Sequence, residues 1–138
     1  MFHFLSNFAP SKVKFEGETY PTVEHAFQAA KTSDKAERSE IRNAPSAGVA
    51  KKLGGKVKLR RDWESVKVSI MENLLRQKFS SEHHKKWLLD TETQVLVEGN
   101  TWHDNFWGVC HCSRCDNGKN NLGMLLMKIR TELSEANK

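Results

Sequence analysis

"WESVKVSIMENLLRQKF", residues 63–79, carries the strongest helical signal in the chain. Trp63, Val66, Ile70 and Leu74 fall on one side, and Val68, Met71 and Leu75 on another. So broad an apolar arc predicts a central, largely buried helix. Toward the C-terminus, "SEHHKKWLLDT" (81–91) predicts a helix capped by Ser81 with Glu82 in its first turn. "QVLVEG" (94–99) reads as a short β-type run, and "NNLGMLLMKIRTEL" (120–133) as an amphipathic helix through Leu122, Leu125, Leu126, Ile129 and Leu133. Toward the N-terminus, "KVKLRRD" (56–62) is a basic connector behind a helix in "SAGVAKKLGG" (46–55), which Gly54 and Gly55 stop. "DKAERSEIRNA" (34–44) predicts a further helix ending near Pro45, and "VEHAFQAAK" (23–31) one that runs to about Thr32 behind the N-cap Thr22. "VKFEGETY" (13–20) predicts two extended pieces about a turn at Glu16-Gly17. The sum is a mainly α fold with two to four short β-strands, α+β in class, forming a single domain over residues 1–138.

The length allows one continuous core, and 38% apolar with 28% charged residues suits a globular protein. Twenty-two Lys and Arg against seventeen Asp and Glu leave a formal charge of +5, which favours anionic partners such as phosphates, nucleotides and nucleic acid. No apolar run reaches membrane-spanning length, and "MFHFLSNFAPSK" lacks the basic and apolar regions of a secretory leader. A cytoplasmic protein with no membrane partner is expected. All three cysteines lie between 110 and 115, too close together to staple distant segments.

Several stretches carry candidate chemistry. Glu24, Gln28 and Lys31 form a narrow stripe on their helix, since spacings of four and three nearly return to the same angle. A carboxylate, an amide and an amine in that arrangement can act on one polar ligand; they can equally form a solvated helix face. "GNTWHDNFWGVCHC" (99–112) sets Asp104 among Trp102, Phe106 and Trp107. A desolvated carboxylate costs several kcal/mol without partners. Holding a planar base while facing developing positive charge would give it a purpose. Otherwise Trp107 anchors the core and Asp104 caps a turn. Cys112 and Cys115 have C-x2-C spacing, with Cys110, His103 and His111 nearby, so a Cys3His zinc site stands beside free thiols as a reading. "KKLGGKVKLRR" (51–61) carries six cations and no acid, either a solvated patch or a phosphate-binding one.

Five stretches, "FLSNF", "YPTVEHAFQAAK", "LRRDWESVKVSIM", "DNFWGV" and "NNLGMLLMKIR", together resemble the NADAR (YbiA-like) family in order and spacing, from residue 4 to about 133. The resemblance implies an enzyme: an N-glycosidase that acts on N-ribosides. Its substrates would be ADP-ribosylated guanine, free or in DNA, or phosphoribosylated intermediates of riboflavin synthesis. It implies Glu24, Lys31 and Asp104 as catalytic residues. Ser6, Asn7, Phe8, Gln28, Arg61, Trp63, Trp107 and Gly108 are the expected substrate-binding residues. The two acids would meet the oxocarbenium character that develops at C1′. Lys31 would protonate or orient the leaving base, or attack C1′ of a ring-opened sugar as an amine. No metal and no cofactor are implied, and a monomer is expected. The "CHCSRC" segment (110–115) departs from some relatives and keeps structural zinc open. Two other classes stand against the enzyme: a non-catalytic ADP-ribose or NAD binder, and a zinc-knuckle nucleic-acid module.

Overall fold

The computed structural model describes residues 5–100, 104–111 and 118–136. It divides into two compact units, Met1–His84 and Lys85–Lys138.

The first unit is organised around α1 (Val23–Ala30), every residue of which is buried. Against it pack β1 (Val13–Phe15), β2 (Glu18–Tyr20), α2 (Lys35–Arg42), α3 (Ala47–Gly54) and α4 (Trp63–Lys78). This corrects the expectation that the 63–79 helix is central and largely buried. In α4 the buried positions are Trp63, Met71, Leu74, Leu75 and Lys78, while Val68 is exposed. The physical reason is side-chain size. Ala26, Ala29 and Ala30 leave α1 slim enough for neighbours to close on it from several sides.

Local chemistry fixes the ends of these elements. β1 and β2 pair antiparallel, Val13 with Tyr20 and Phe15 with Glu18, across a two-residue turn with Glu16 at φ 46° and Gly17 at φ 87°. The Thr22 hydroxyl accepts from His25 N at 3.0 Å, as an N-cap should, and meets His25 Nδ1 at 2.7 Å. His25 Nε2 lies 3.1 Å from the Ala44 carbonyl, which can only accept, so that nitrogen carries a hydrogen. The ring thereby ties the start of α1 to the α2–α3 connection. Asp34 and Ser46 cap α2 and α3 through Glu37 N and Val49 N.

Long polar side chains lock the unit together. Gln77 of α4 works as a piece of backbone beside β1: its amide donates to the Lys14 carbonyl at 2.8 Å and accepts from Lys14 N at 2.7 Å. Lys78 is fully buried, and its ammonium donates to the Ser6 carbonyl at 2.9 Å. That bond holds the Ser6–Phe8 segment against the end of α4.

The unit boundary falls within α5 (Glu82–Leu89), whose expected cap Ser81 accepts from His84 N at 3.3 Å. In the second unit β3 (Gly99–Asn100) pairs parallel with β4 (Val109–Cys110), and α6 (Asn121–Ala136) buries Leu122, Leu125, Leu126 and Ile129. The expected β-type run at 94–99 joins the ladder only at its end, where the Glu98 carbonyl accepts from Val109 N at 2.7 Å and Gly99 begins β3. Asn120, at φ 51°, accepts from Glu98 N at 2.9 Å and donates to the Leu96 carbonyl at 2.8 Å. Among the described residues no helix is long and apolar enough to cross a membrane.

Thr22→Ala removes both the cap of α1 and the hydroxyl partner of His25. Urea unfolding should show a loss of about 1–2 kcal/mol, with Thr22→Ser keeping most of the stability. Superimposable curves for the alanine variant and the wild type would show that the cap contributes nothing.

Candidate active site

In the first unit the burial of α1 decides the fate of its polar stripe. Glu24 is 7% exposed and Gln28 4%, so this is not a solvated helix face. Gln28 Nε2 donates to Glu24 Oε1 at 2.7 Å, one turn along the helix. Lys31, half-buried, is the C-cap residue, and its carbonyl accepts from Arg60 N at 2.7 Å. Burial pushes the Glu24 carboxyl up from its ordinary range, against the Gln28 bond and the charges of Lys51, Lys31 and His25. Burial also pushes the Lys31 amine down. Glu24 opposes that shift, and Lys51 and Lys67 reinforce it. The acid is easier to protonate and the amine easier to deprotonate than either would be in water, the directions of shift that suit a pair to proton transfer.

The Ser6–Phe8 segment joins the same unit. The Asn7 carbonyl accepts from Glu24 N at 3.1 Å, fixing the segment to the first turn of α1. Asn7 Nδ2 meets the Met71 sulfur at 3.5 Å, while Asn7 Oδ1 is buried without a hydrogen-bond partner among the described residues. Gln28 Oε1 is in the same condition. The Ser6 hydroxyl accepts from Phe8 N at 3.1 Å, and the Phe8 ring is exposed. Trp63, expected to stack on a base, is buried with its ring 5.0 Å from that of Phe27 at 53°. Arg61 is exposed and lines a groove of about 710 Å³ with Thr32, Ser33, Lys58, Leu59 and Asp62. None of Glu24, Gln28 and Lys31 lines that groove.

Two contributors escaped the sequence reading. Lys51 stood there as one cation of a basic stretch, yet α3 brings its charge to bear on both Glu24 and Lys31. Gly54 supplies room: a Cβ on it would collide with the side-chain amide, Cδ and Cβ of Gln28. The Gln28 amide lies where no larger residue at 54 could leave it.

The second unit holds Asp104, Trp107 and Gly108. Asp104 Oδ1 accepts from Trp107 N at 3.0 Å and Phe106 N at 3.2 Å, so the carboxylate caps its own turn. Asn100 brackets it, accepting from Asp104 N at 3.1 Å and donating to the Asp104 carbonyl at 2.7 Å. The rings of Phe106 and Trp107 meet edge to face at 4.8 Å. Gly108 lies so close to the Glu98 carbonyl that a side chain there would strike it. Trp102, His103, Cys112 and Cys115 lie outside the described residues. Cys110 is buried in β4, its N–H donating to Asn105 Oδ1 at 2.9 Å. Among the described residues no group of three or more His, Cys, Asp or Glu could hold a metal.

A family profile described as NADAR domain matches residues 1–134. The chain belongs to the NADAR family. It is 42% identical over 133 residues to a protein of Escherichia coli strain K12 named N-glycosidase YbiA, covering 94% of this chain and 81% of that one. It is 34% identical over 151 residues to the chloroplastic riboflavin biosynthesis protein PYRR of Zea mays, covering 96% of this chain but only 24% of the maize protein. The NMR structure of the E. coli protein YbiA matches 97% of this chain and 79% of its own at a TM-score of 0.81, with 41% identity. The mainly helical α+β architecture is thus shared with a solved NADAR structure.

Two measurements probe this site without substrate. A carboxyl whose pKa rises on folding holds extra protons in the native state, so stability falls as pH climbs from the ordinary 4.5 through the native value. Glu24→Gln removes that penalty and keeps the bond from Gln28. Urea midpoints should coincide with the wild type near about pH 4, and the variant should pull ahead by about pH 8. A constant or reversed gap refutes the assignment. Separately, Gly54→Ala should cost about 1–3 kcal/mol through overpacking, and only part of that when Gln28→Ala removes the amide, because the Cβ of residue 28 still crowds the new methyl. Additive losses in that double-mutant cycle would deny the contact.

Proposed function

We propose that this chain is an N-glycosidase that hydrolyses the C–N bond joining ribose to base in a phosphorylated N-riboside, with ADP-ribose on guanine as its substrate, free or in DNA. Glycosyl-hydrolase chemistry is what the names of its YbiA relatives support. The observation that carries the reading is the buried Glu24 carboxyl, bonded by Gln28 at 2.7 Å, on the same helix that the half-buried Lys31 ends.

Water adds to C1′ and gives up a proton, while the electrons of the breaking C–N bond pass to the base nitrogen, which gains a proton as it leaves. Glu24, whose proton affinity burial raises, is suited to deliver it. Lys31 stands ready as an orienting donor or, unprotonated, as an amine that attacks C1′ of a ring-opened sugar. The resemblance assigns Asp104 to the anion that steadies positive charge at the sugar carbon, and Trp107 and Gly108 to the bound substrate. An anchored carboxylate is suited to that role, because it need not reorient as the charge appears.

ADP-ribosylated guanosine should therefore release free ADP-ribose on incubation with the protein. Glu24→Gln and Lys31→Met should each lower kcat by about 10²–10⁴-fold, and Asp104→Asn by about 10²–10³-fold, with ligand binding retained. Borohydride added during turnover should leave a ribosyl adduct on Lys31 if the amine attacks carbon, and none if it only orients. No released ADP-ribose from either nucleoside or DNA would reject this substrate. Binding without turnover would leave an ADP-ribose reader in its place.

A second substrate is favoured by the maize relative, whose name joins this domain to riboflavin biosynthesis. Release of ribose 5-phosphate from a ribosylamino-pyrimidine phosphate, with ADP-ribosylated guanosine untouched, would select it.

A further inference from the structure

The segment Gln94–Glu98 in the second unit uses its backbone on one side only. The Gln94 carbonyl accepts from the Arg130 guanidinium at 2.8 Å. Leu96 N meets the Met127 sulfur at 3.5 Å, and its carbonyl accepts from Asn120. Glu98 N donates to Asn120, and the Glu98 carbonyl accepts from Val109 N at 2.7 Å. Alternate residues of an extended chain aim their N–H and C=O groups to opposite edges. All the inward groups are those of Gln94, Leu96 and Glu98. Val95 and Val97 face the other way, and their N–H and C=O groups have no hydrogen-bond partner among the described residues.

The side chains follow the same alternation. Leu96 is buried, whereas Val95 is 76% exposed and Val97 52%. Natural sheets blunt such an edge with lysine, proline or a bulge. Here the two outward residues are valines, and the edge runs directly into β3, which already pairs with β4 on its inner side.

We propose that the outer edge of Gln94–Glu98 is a docking site for an extended peptide strand. Its occupant has β-branched aliphatic residues at alternate positions and lysine or arginine at its ends. The valine N–H and C=O groups would make the ladder, and the valine side chains would pack on alternate residues of the incoming strand. Charge selects the ends. Residues 87–102 contain Asp90, Glu92 and Glu98 and no Lys or Arg, within a chain of net charge +5, and Arg130 reaches the segment on its inward side at the Gln94 carbonyl. Asp90 and Glu92 are exposed. A second copy of the chain is the poorer occupant, because edge-to-edge pairing would bring the acids of one edge beside those of the other.

The probe is the capped peptide Lys-Thr-Val-Thr-Val-Thr-Lys, added to the isotope-labelled full chain, with a glutamate-ended version as control. The Val95 and Val97 amides should shift and exchange with solvent at least tenfold more slowly, while the Leu96 amide changes little. The glutamate-ended peptide should bind at least tenfold more weakly, as should the lysine-ended one to a Val95→Lys, Val97→Lys variant of unchanged circular dichroism. Unmoved valine amides, or equal binding of the two peptides, overturn the proposal. So does protection of those amides that rises with protein concentration alone, which assigns the edge to a second copy. The exchange measurement uses the unaltered chain, so it decides even if the lysine variant fails to fold.

Discussion

A carboxylate stays in a protein interior only where something replaces the water it has lost. In this protein that constraint falls on Glu24, because α1 is enclosed along its whole length by the sheet and helices of its unit. The replacement is specific: an amide from Gln28 at 2.7 Å, and the positive charges of Lys51 and Lys31. Each partner depends on packing elsewhere. Gln28 keeps its place because Gly54 has no side chain, and Lys51 acts on Glu24 because α3 lies against α1. The polarity of the site is therefore a product of the core, not a decoration on its surface.

Much of the fold was legible because it is local. The turn at Glu16-Gly17, the caps at Thr22 and Ser81, and the apolar stripe of α6 each depend on a few neighbouring residues. Centrality was not legible. Counting apolar side chains favoured 63–79, but depth depends on how closely neighbours can approach, and the alanines of α1 permit more than the bulkier residues of α4. The same difficulty hid the meaning of the Glu24–Gln28–Lys31 stripe. Spacings of four and three describe a wet helix face as well as a dry one, and only the packing of α1 separates the two. Family resemblance pointed to Glu24 and Lys31; it gave no hint that Lys51 and Gly54 support them.

Side-chain amides carry another part of the structure that spacing could not reveal. Gln77 completes the backbone bonding of Lys14, Asn120 completes that of Leu96 and Glu98, and Asn100 that of Asp104. An amide offers a donor and an acceptor in nearly the geometry of a peptide group, so it can stand in for a missing strand. Such substitutions depend on position alone. They also explain how a chain with two-stranded sheets of two or three rungs keeps its extended segments in register.

The Gln77 bridge bears on how the first unit assembles. It joins residues 63 positions apart, and β1 and β2 have only three paired residues each to hold them otherwise. A ribbon that short has little persistence in water. Its outer rung closes only once α4 has arrived, so hairpin and helix should gain order in the same kinetic step, and the unit should refold as one late-committing piece governed by that long loop closure.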